Sequence, residues 1–166
     1  MARKQLTHWD RAGGPTMVDV TSKPGTVREA RAQAFVRMKP AVVRQIRRQE
    51  LPKGNPLQVA RLAGIAAAKR TDELIPLCHP LPLTHIDVAV ELCQNGVRLI
   101  ATVRSQGSTG VEMEALTAAS VAALTVYDMC KALDRGLELQ DIYLLEKSGG
   151  RSGSYRRRGA PTLRRR

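Results

Sequence analysis

The chain of 166 residues, with a net charge of +12, is long enough for one domain with a substantial core and too short to favour two. It contains no run of about eighteen apolar residues, and MARKQLTHWDRAGG lacks the apolar segment of a signal peptide, so we expect a cytoplasmic protein with neither a membrane span nor a secretory leader. Three widely spaced cysteines without a CxxC pair exclude a disulfide framework and a structural zinc site.

The positive charge is concentrated at the C-terminal end, where seven arginines lie in RSGSYRRRGAPTLRRR. We expect residues 1–16 to form a flexible lead, residues 17–150 a single domain, and residues 151–166 a basic, disordered tail. A basic balance is also typical of nucleic-acid-binding proteins, so a small nucleic-acid-binding module is one hypothesis. The scarcity of aromatic residues for base stacking argues against it, and we interpret the tail as solubilising.

The first predicted element is a strand over residues 28–38, where one face carries mostly small or apolar residues and the other mostly polar ones, although the alanines and arginines would also suit a helix. Pro40 then begins a short helix that ends near Glu50. A second helix is predicted from Pro56, a favoured first-turn residue, to about Thr71. Its many small residues allow another backbone to approach closely.

Three prolines make LIPLCHPLPL, residues 74–83, a rigid extended loop rather than a regular element. The next segment predicts a β-hairpin, because residues 86–92 alternate, Asn95-Gly96 supplies the turn and residues 97–103 alternate again. After Gly136, the sequence LELQDIYLLEKS predicts a last strand.

The longest element is predicted over TGVEMEALTAASVAALTVYDMCKALD, residues 109–134, which Gly110 and Gly136 bracket as one mostly buried helix. At the helical rise, Glu114 and Lys131 stand roughly 25 Å apart, too far to hold one small ligand within a single subunit. Polar side chains nevertheless fall in one sector about 140° wide: Glu114, Thr117, Ser120, Thr125, Asp128 and Lys131.

Structural explanations compete for the same residues. Asp128 and Lys131, three positions apart, suit an ion pair at a helix end. Glu112 and Glu114 suit first-turn residues that complement the helix dipole. The helix alone therefore identifies no function.

The predicted order of strand, helix, helix, hairpin, helix and strand indicates an α+β fold, with a ferredoxin-like antiparallel sheet and helices packed on one face. Strands and helices do not alternate as a doubly wound fold requires.

Among candidate functional residues, His79 could act as a general acid or base, but a lone histidine in such a loop is more often structural. Cys78 has no histidine or carboxylate beside it in sequence, so a catalytic thiol is poorly supported. Glycines and cations in KSGGRSG have the character of a phosphate-binding loop without matching a Walker motif.

Four segments, MVDVTSKPGTVREA, KRTDELIPLCHPLPL, GSTGVEMEALTAASVAALTVYDMCKAL and LLEKSGGRSG, resemble the signature segments of the cyclic pyranopterin monophosphate synthase family of molybdenum cofactor biosynthesis. The resemblance is ordered and extends from about Leu6 to Gly153. It implies a lyase that rearranges 3′,8-cyclo-7,8-dihydroguanosine triphosphate, the product of an upstream radical enzyme, to cyclic pyranopterin monophosphate with loss of pyrophosphate. It also implies a cytoplasmic homohexamer, a trimer of dimers, with active sites between subunits.

The resemblance implies roles for particular residues. Asp128 and Lys131 match the catalytic aspartate and lysine of the family. Mg²⁺ is expected only as a companion of the triphosphate, with no metal site in the protein. Substrate-binding roles are implied for Leu77, Cys78, His79, Met113 and Glu114, and, from a looser alignment, for Lys53, Arg28, Glu112 and Lys147.

The chain departs from the family pattern at two places. Ser108 stands where a lysine is common, and we expect Arg104 or Arg151 to supply the missing charge. Asn55-Pro56 replaces Asp-Val after Lys53-Gly54, which puts the position of Lys53 in doubt. Besides the enzyme and the nucleic-acid-binding module, a catalytically idle interaction subunit is a third hypothesis.

Overall fold

In the computed structural model, which describes residues 13–151 and 153–159, the alternating sequence TVREARAQAFVR forms the central strand β1 (Thr26–Arg37). Ala30, Ala32, Ala34 and Val36 are completely buried. Because successive side chains of a strand point to opposite faces, these four residues form one apolar face. The strand prediction is therefore confirmed over the helical alternative.

The remaining elements of the described residues are α1 (Pro40–Arg47), α2 (Pro56–Ala68), α3 (Thr71–Leu74), β2 (Leu83–Cys93), β3 (Gly96–Gly107), α4 (Glu112–Cys130), β4 (Glu138–Ser148) and β5 (Tyr155–Arg156). The five strands are antiparallel and lie in the order β2-β3-β1-β4-β5, and with the four helices they have the predicted α+β, ferredoxin-like arrangement. The apolar face of the sheet and the inner faces of the helices form one core.

Helix α4 packs against both α2 and the sheet through small residues. Its buried alanines leave little side-chain bulk on the inner face. On α2, a Cβ built at Gly64 would lie 2.9 Å from the backbone oxygen of Ala118 and 3.0 Å from Cγ2 of Val88. Glycine therefore sets how closely the two helices approach, as the small residues of α2 predicted.

Helix α4 ends at Cys130, several residues before Gly136, where the sequence predicted its end. A turn follows, and the buried carboxylate of Asp134 accepts hydrogen bonds from the backbone N–H groups of Lys39 (3.0 Å) and Gly136 (3.0 Å). These bonds lower the pKa of Asp134. The chain leaves the helix early because this carboxylate joins the turn to the start of α1.

Two further elements differ from the prediction. The short helix α3 precedes the proline-rich loop and includes Leu74. Strand β5 pairs with β4 within the segment predicted to be a disordered tail. Residue 152 and residues 160–166 of that tail, and residues 1–12 of the predicted lead, lie outside the described residues.

The face of the sheet away from the helices is partly buried as well. Gln33 and Ile100 form a cross-strand pair there and are 3% and 1% exposed. The amide Nε2 of Gln33 donates to the hydroxyl of Tyr143 at 2.9 Å. Charged pairs such as Arg31–Glu146, 2.6 Å apart, surround this row.

Candidate active site

A cavity of about 590 Å³ lies at the N-terminal end of α4. The turn before β1, β1 itself, the loop between β3 and α4, and the glycines after β4 all contribute to it. Its lining residues are Lys23, Pro24, Thr26, Arg28, Ser108, Thr109, Gly110, Glu112, Gly150 and Arg151.

Arg28 is held in this cavity by main-chain acceptors. Its Nε donates to the carbonyl of Gly107 and its Nη2 to the carbonyl of Ser108, both at 3.3 Å. A Cβ added to Gly150 would lie 1.6 Å from Nη1 of Arg28. Gly150 has a φ angle of 75°, which favours glycine, and the chain passes close to the guanidinium at this residue.

Glu112 and Lys147 form an ion pair beside Arg28. The ammonium of Lys147, near the end of β4, lies 2.9 Å from Oε1 of Glu112 in the first turn of α4. The pair joins a strand to the helix N-terminus and places a cation next to the cavity.

Glu114 is the buried carboxyl group of this region, with 4% of its surface exposed. Burial raises its pKa to about 7, and the charges of Glu112 and Asp72 act in the same direction. A carboxyl group with that pKa can take up or release a proton near neutral pH.

The proline-rich loop lies near Glu114. Burial raises the pKa of the Cys78 thiol, and the negative charges of Glu114 and Asp72 raise it further. Leu77, Cys78 and His79 are all half-buried. Nε2 of His79 donates a hydrogen bond to the carbonyl of Val18 at 2.8 Å, so the segment before β1 holds the imidazole.

A second group of predicted residues lies at the C-terminal end of α4. Asp128 and Lys131 form an ion pair of 2.7 Å, and their side chains are 61% and 54% exposed. The ammonium of Lys53 donates to the backbone oxygen of Asp128 at 3.4 Å. The hydrogen bond and charge of Lys131 lower the pKa of Asp128, and the same pair raises the pKa of Lys131, so both stay charged at neutral pH.

Asn55 and Pro56, which differ from the residues common in the resembled family, have a structural role at the start of α2. The side-chain oxygen of Asn55 accepts hydrogen bonds from the backbone N–H groups of Leu57 (3.0 Å) and Gln58 (3.4 Å), which caps α2, and Pro56 occupies the first turn. Lys53 still reaches Asp128 in front of this cap.

The predicted site residues therefore form two groups in one chain. Glu114 and Lys131 are separated by about 25 Å along the helix. The N-terminal group contains Arg28, Glu112, Met113, Glu114 and Lys147, with Leu77, Cys78 and His79 nearby. The C-terminal group contains Lys53, Asp128 and Lys131.

Comparison with known proteins identifies the family. Residues 17–150 match the model of the MoaC family. The chain belongs to the MoaC family. It is 57% identical over 153 residues to cyclic pyranopterin monophosphate synthase 1 of Mycobacterium bovis, with 92% of this chain and 90% of the relative covered. It is 55% identical over 152 residues to cyclic pyranopterin monophosphate synthase of Roseiflexus, covering 90% and 96% of the two chains, and 54% identical over 158 residues to that of Parvibaculum lavamentivorans, covering 94% and 99%.

In this MoaC-family chain the structure places Lys23, which was not predicted, at the cavity. It also shows which of two arginines, Arg104 or Arg151, lies near Ser108. Lys23 lines the cavity, and its place in the same signature segment as Arg28 was the signal that could have identified it. Arg151 lines the cavity together with Ser108. Arg104 pairs with Glu29 on the sheet instead. Of the two arginines that could replace the missing charge, only Arg151 is in position.

Within residues 13–151 and 153–159, no group of three or more histidine, cysteine, aspartate or glutamate side chains could hold a metal ion. None of the helices in those ranges has the length and apolar character that crossing a membrane requires.

Proposed function

We propose that this chain converts 3′,8-cyclo-7,8-dihydroguanosine triphosphate to cyclic pyranopterin monophosphate and pyrophosphate, the lyase reaction of molybdenum cofactor biosynthesis. One observation carries this conclusion: relatives named for this synthase are 54–57% identical and align over at least 90% of both chains. The family match over residues 17–150 agrees with it.

The cavity has the charge that a nucleotide triphosphate needs. Arg28 and Lys23 line the cavity, and Lys147 forms an ion pair with Glu112, which also lines it. Cations in fixed positions stabilise the negative charge that develops on the leaving oxygens when a cyclic phosphate closes and pyrophosphate departs. We assign phosphate binding to this group.

The proton transfers of ring opening and pterin formation need groups that exchange protons near neutral pH. Glu114 meets this requirement through its raised pKa of about 7. Asp128, Lys131 and His79 are the other acid–base groups of the proposal. Lys131 donates as an ammonium ion, and its pairing with Asp128 keeps it charged until a substrate oxygen or nitrogen replaces that partner.

We propose that each active site is built from two subunits of a homohexamer, a trimer of dimers. Two observations support it: the two residue groups lie at opposite ends of α4, and Asp128 and Lys131 are exposed rather than placed in the cavity of their own chain. If the C-terminal group of one copy meets the N-terminal group of another, the proton-transfer and phosphate-binding groups surround one substrate. Analytical ultracentrifugation tests the hexamer directly.

We propose that the reaction takes place in the cytoplasm and follows the radical enzyme that forms the cyclised nucleotide. The three cysteines are free thiols in the structure, as that compartment favours. Mg²⁺ belongs to the proposal only as a counter-ion that enters with the triphosphate.

The test is a turnover assay with the purified chain and the cyclised nucleotide, in which pyrophosphate is quantified and the pterin product is identified by mass spectrometry. Stoichiometric pyrophosphate and cyclic pyranopterin monophosphate are expected. A folded protein that yields neither, and instead binds DNA in a salt-dependent manner, would favour the nucleic-acid-binding module. A folded protein that does neither would favour an idle interaction subunit.

A further inference from the structure

Arg151 lies in the cavity at a point where the chain is strongly constrained. Gly149 and Gly150, which precede it, have φ angles of 92° and 75°. A Cβ at Gly149 would lie 2.2 Å from the carbonyl oxygen of Val27. The chain therefore leaves β4 pressed against β1 and carries Arg151 to the cavity wall beside Arg28.

Arg28 and Lys147, two other cationic side chains of this region, already interact with groups of the protein. The guanidinium of Arg28 donates to the carbonyls of Gly107 and Ser108. The ammonium of Lys147 is paired with Glu112, whose carboxylate offsets its charge. A triphosphate carries several negative charges, so further cations are needed at the wall, and the cationic lining residues besides Arg28 are Arg151 and Lys23.

The segment after Arg151 returns to the sheet and is fixed there. The N–H of Gly153 donates to the carbonyl of Gly150 at 3.1 Å, and the N–H of Arg157 donates to the carbonyl of Leu145 at 2.8 Å. Between them, β5 pairs with the end of β4. The guanidinium of Arg157 lies 4.0 Å from the centre of the Tyr143 ring, a cation–π contact.

We propose that Arg151 binds the triphosphate of the substrate. The pairing of β5 with β4 and the Arg157–Tyr143 contact then hold Arg151 in position at the cavity. The planar guanidinium suits phosphate oxygens because it can donate two parallel hydrogen bonds. Arg151 is then a substrate-binding residue and Arg157 a positioning residue. This inference rests on the proposed function for the identity of the anion.

The direct test compares Arg151→Ala with Arg158→Ala, a matched control because Arg158 is an exposed arginine of the same segment that does not line the cavity. Loss of a charge-assisted hydrogen bond should raise the KM for the cyclised nucleotide about tenfold, with a smaller change in kcat. The affinity for inorganic pyrophosphate, measured by calorimetry, should fall by a similar factor. Arg158→Ala should match the wild type in both measurements.

The positioning role is tested with Arg157→Ala and Arg157→Lys. Removing the cation–π contact should raise KM about threefold without lowering kcat, and lysine, which keeps a cation over the ring, should restore most of the loss. A purely structural role would instead lower the thermal stability of Arg157→Ala and leave its KM unchanged.

The outcomes separate this inference from the proposed function. If the wild type forms no product but binds pyrophosphate through Arg151, the proposed function fails and the anion-binding role stands. If the wild type turns over and Arg151→Ala keeps its KM and pyrophosphate affinity, the inference is overturned, as it is if the wild type does not bind pyrophosphate. An unchanged KM in Arg157→Ala overturns the positioning role alone.

Discussion

Single side chains in this protein acquire their chemistry from their surroundings. Glu114 is an ordinary first-turn glutamate in sequence, yet its burial beside Glu112 and Asp72 raises its pKa to about 7. Asp128 is exposed, and its contact with Lys131 lowers its pKa instead. The two carboxyl groups on this helix therefore differ in resting state: Glu114 can exchange its proton near neutral pH, and Asp128 is charged there and can act as a base.

The raised pKa of Glu114 predicts a pH-dependent stability. Because the folded state holds this proton more tightly than the unfolded state, where the pKa is near 4.5, the free energy of unfolding should fall as pH rises from about 4.5 to about 7. Glu114→Gln removes the charge, so it should match the wild type near pH 4 and exceed it by on the order of 3 kcal/mol at pH 8.

Urea unfolding at fixed protein concentration, repeated across this pH range, measures that difference. Glu50→Gln is the control for removing a carboxylate at an exposed position. A Glu114→Gln difference that does not change with pH would show that the carboxyl group is not destabilised by burial.

Lys131→Ala should abolish product formation, a loss of at least about a hundredfold, because it removes a cation and proton donor of the proposed site. Its circular dichroism spectrum should be unchanged, since the side chain is exposed. Lys69→Ala, which removes an exposed lysine at the end of α2, should keep full activity. Wild-type turnover by Lys131→Ala would remove this residue from the mechanism.

At the scale of elements, small residues decide how the helix layer packs. Helix α4 has buried alanines where it meets α2 and the sheet, and Gly64 lets the α2 backbone approach Ala118. Both ends of α4 carry residues of the proposed site, so the position of this helix determines the position of both groups.

Gly64→Val should therefore destabilise the protein by at least about 2 kcal/mol, because the added atoms meet the backbone oxygen of Ala118 and the Val88 side chain. Thermal and urea unfolding measure the loss. Ala66→Val is the matched control, because Ala66 is exposed on the same helix and should lose only about 0.5 kcal/mol through helix propensity. Equal losses in the two variants would show that the α2–α4 contact is not tightly packed.

At the scale of the whole molecule, the two ends of α4 cannot meet within one chain, so the proposed site depends on assembly. Arg28 and Glu112 stand at one end of that helix and Asp128 and Lys131 at the other. In the proposed assembly, activity is a property of the oligomer, and each subunit contributes to two different sites.

Subunit mixing tests that division. Arg28→Met and Lys131→Ala should each be inactive, but co-refolded in equal amounts they should regain roughly a quarter of wild-type activity, because some sites then combine two intact halves. Mixing Lys131→Ala with Asp128→Asn should regain nothing, since both changes lie in the same half. Restoration in the second mixture and not the first would contradict the two-subunit site.

The fold was predictable from the sequence wherever a local pattern specified an element. Alternation identified β1, and Asn95-Gly96 identified the β2–β3 hairpin. Strand β5 was not predicted, because two residues in an arginine-rich segment carry no periodic signal and pair only because β4 offers an edge. The early end of α4 was missed because Asp134 binds a distant N–H, that of Lys39.

The sequence by itself determined the fold class, the family and the kinds of chemical group available, because hydrophobic periodicity and signature segments are properties of neighbouring residues. Only the tertiary structure decided that Arg151 rather than Arg104 shares a cavity with Ser108, that Glu114 is buried among carboxylates, and that its group is separated from Lys131. Those facts depend on which distant segments meet, and burial and electrostatic interaction act through space rather than along the chain.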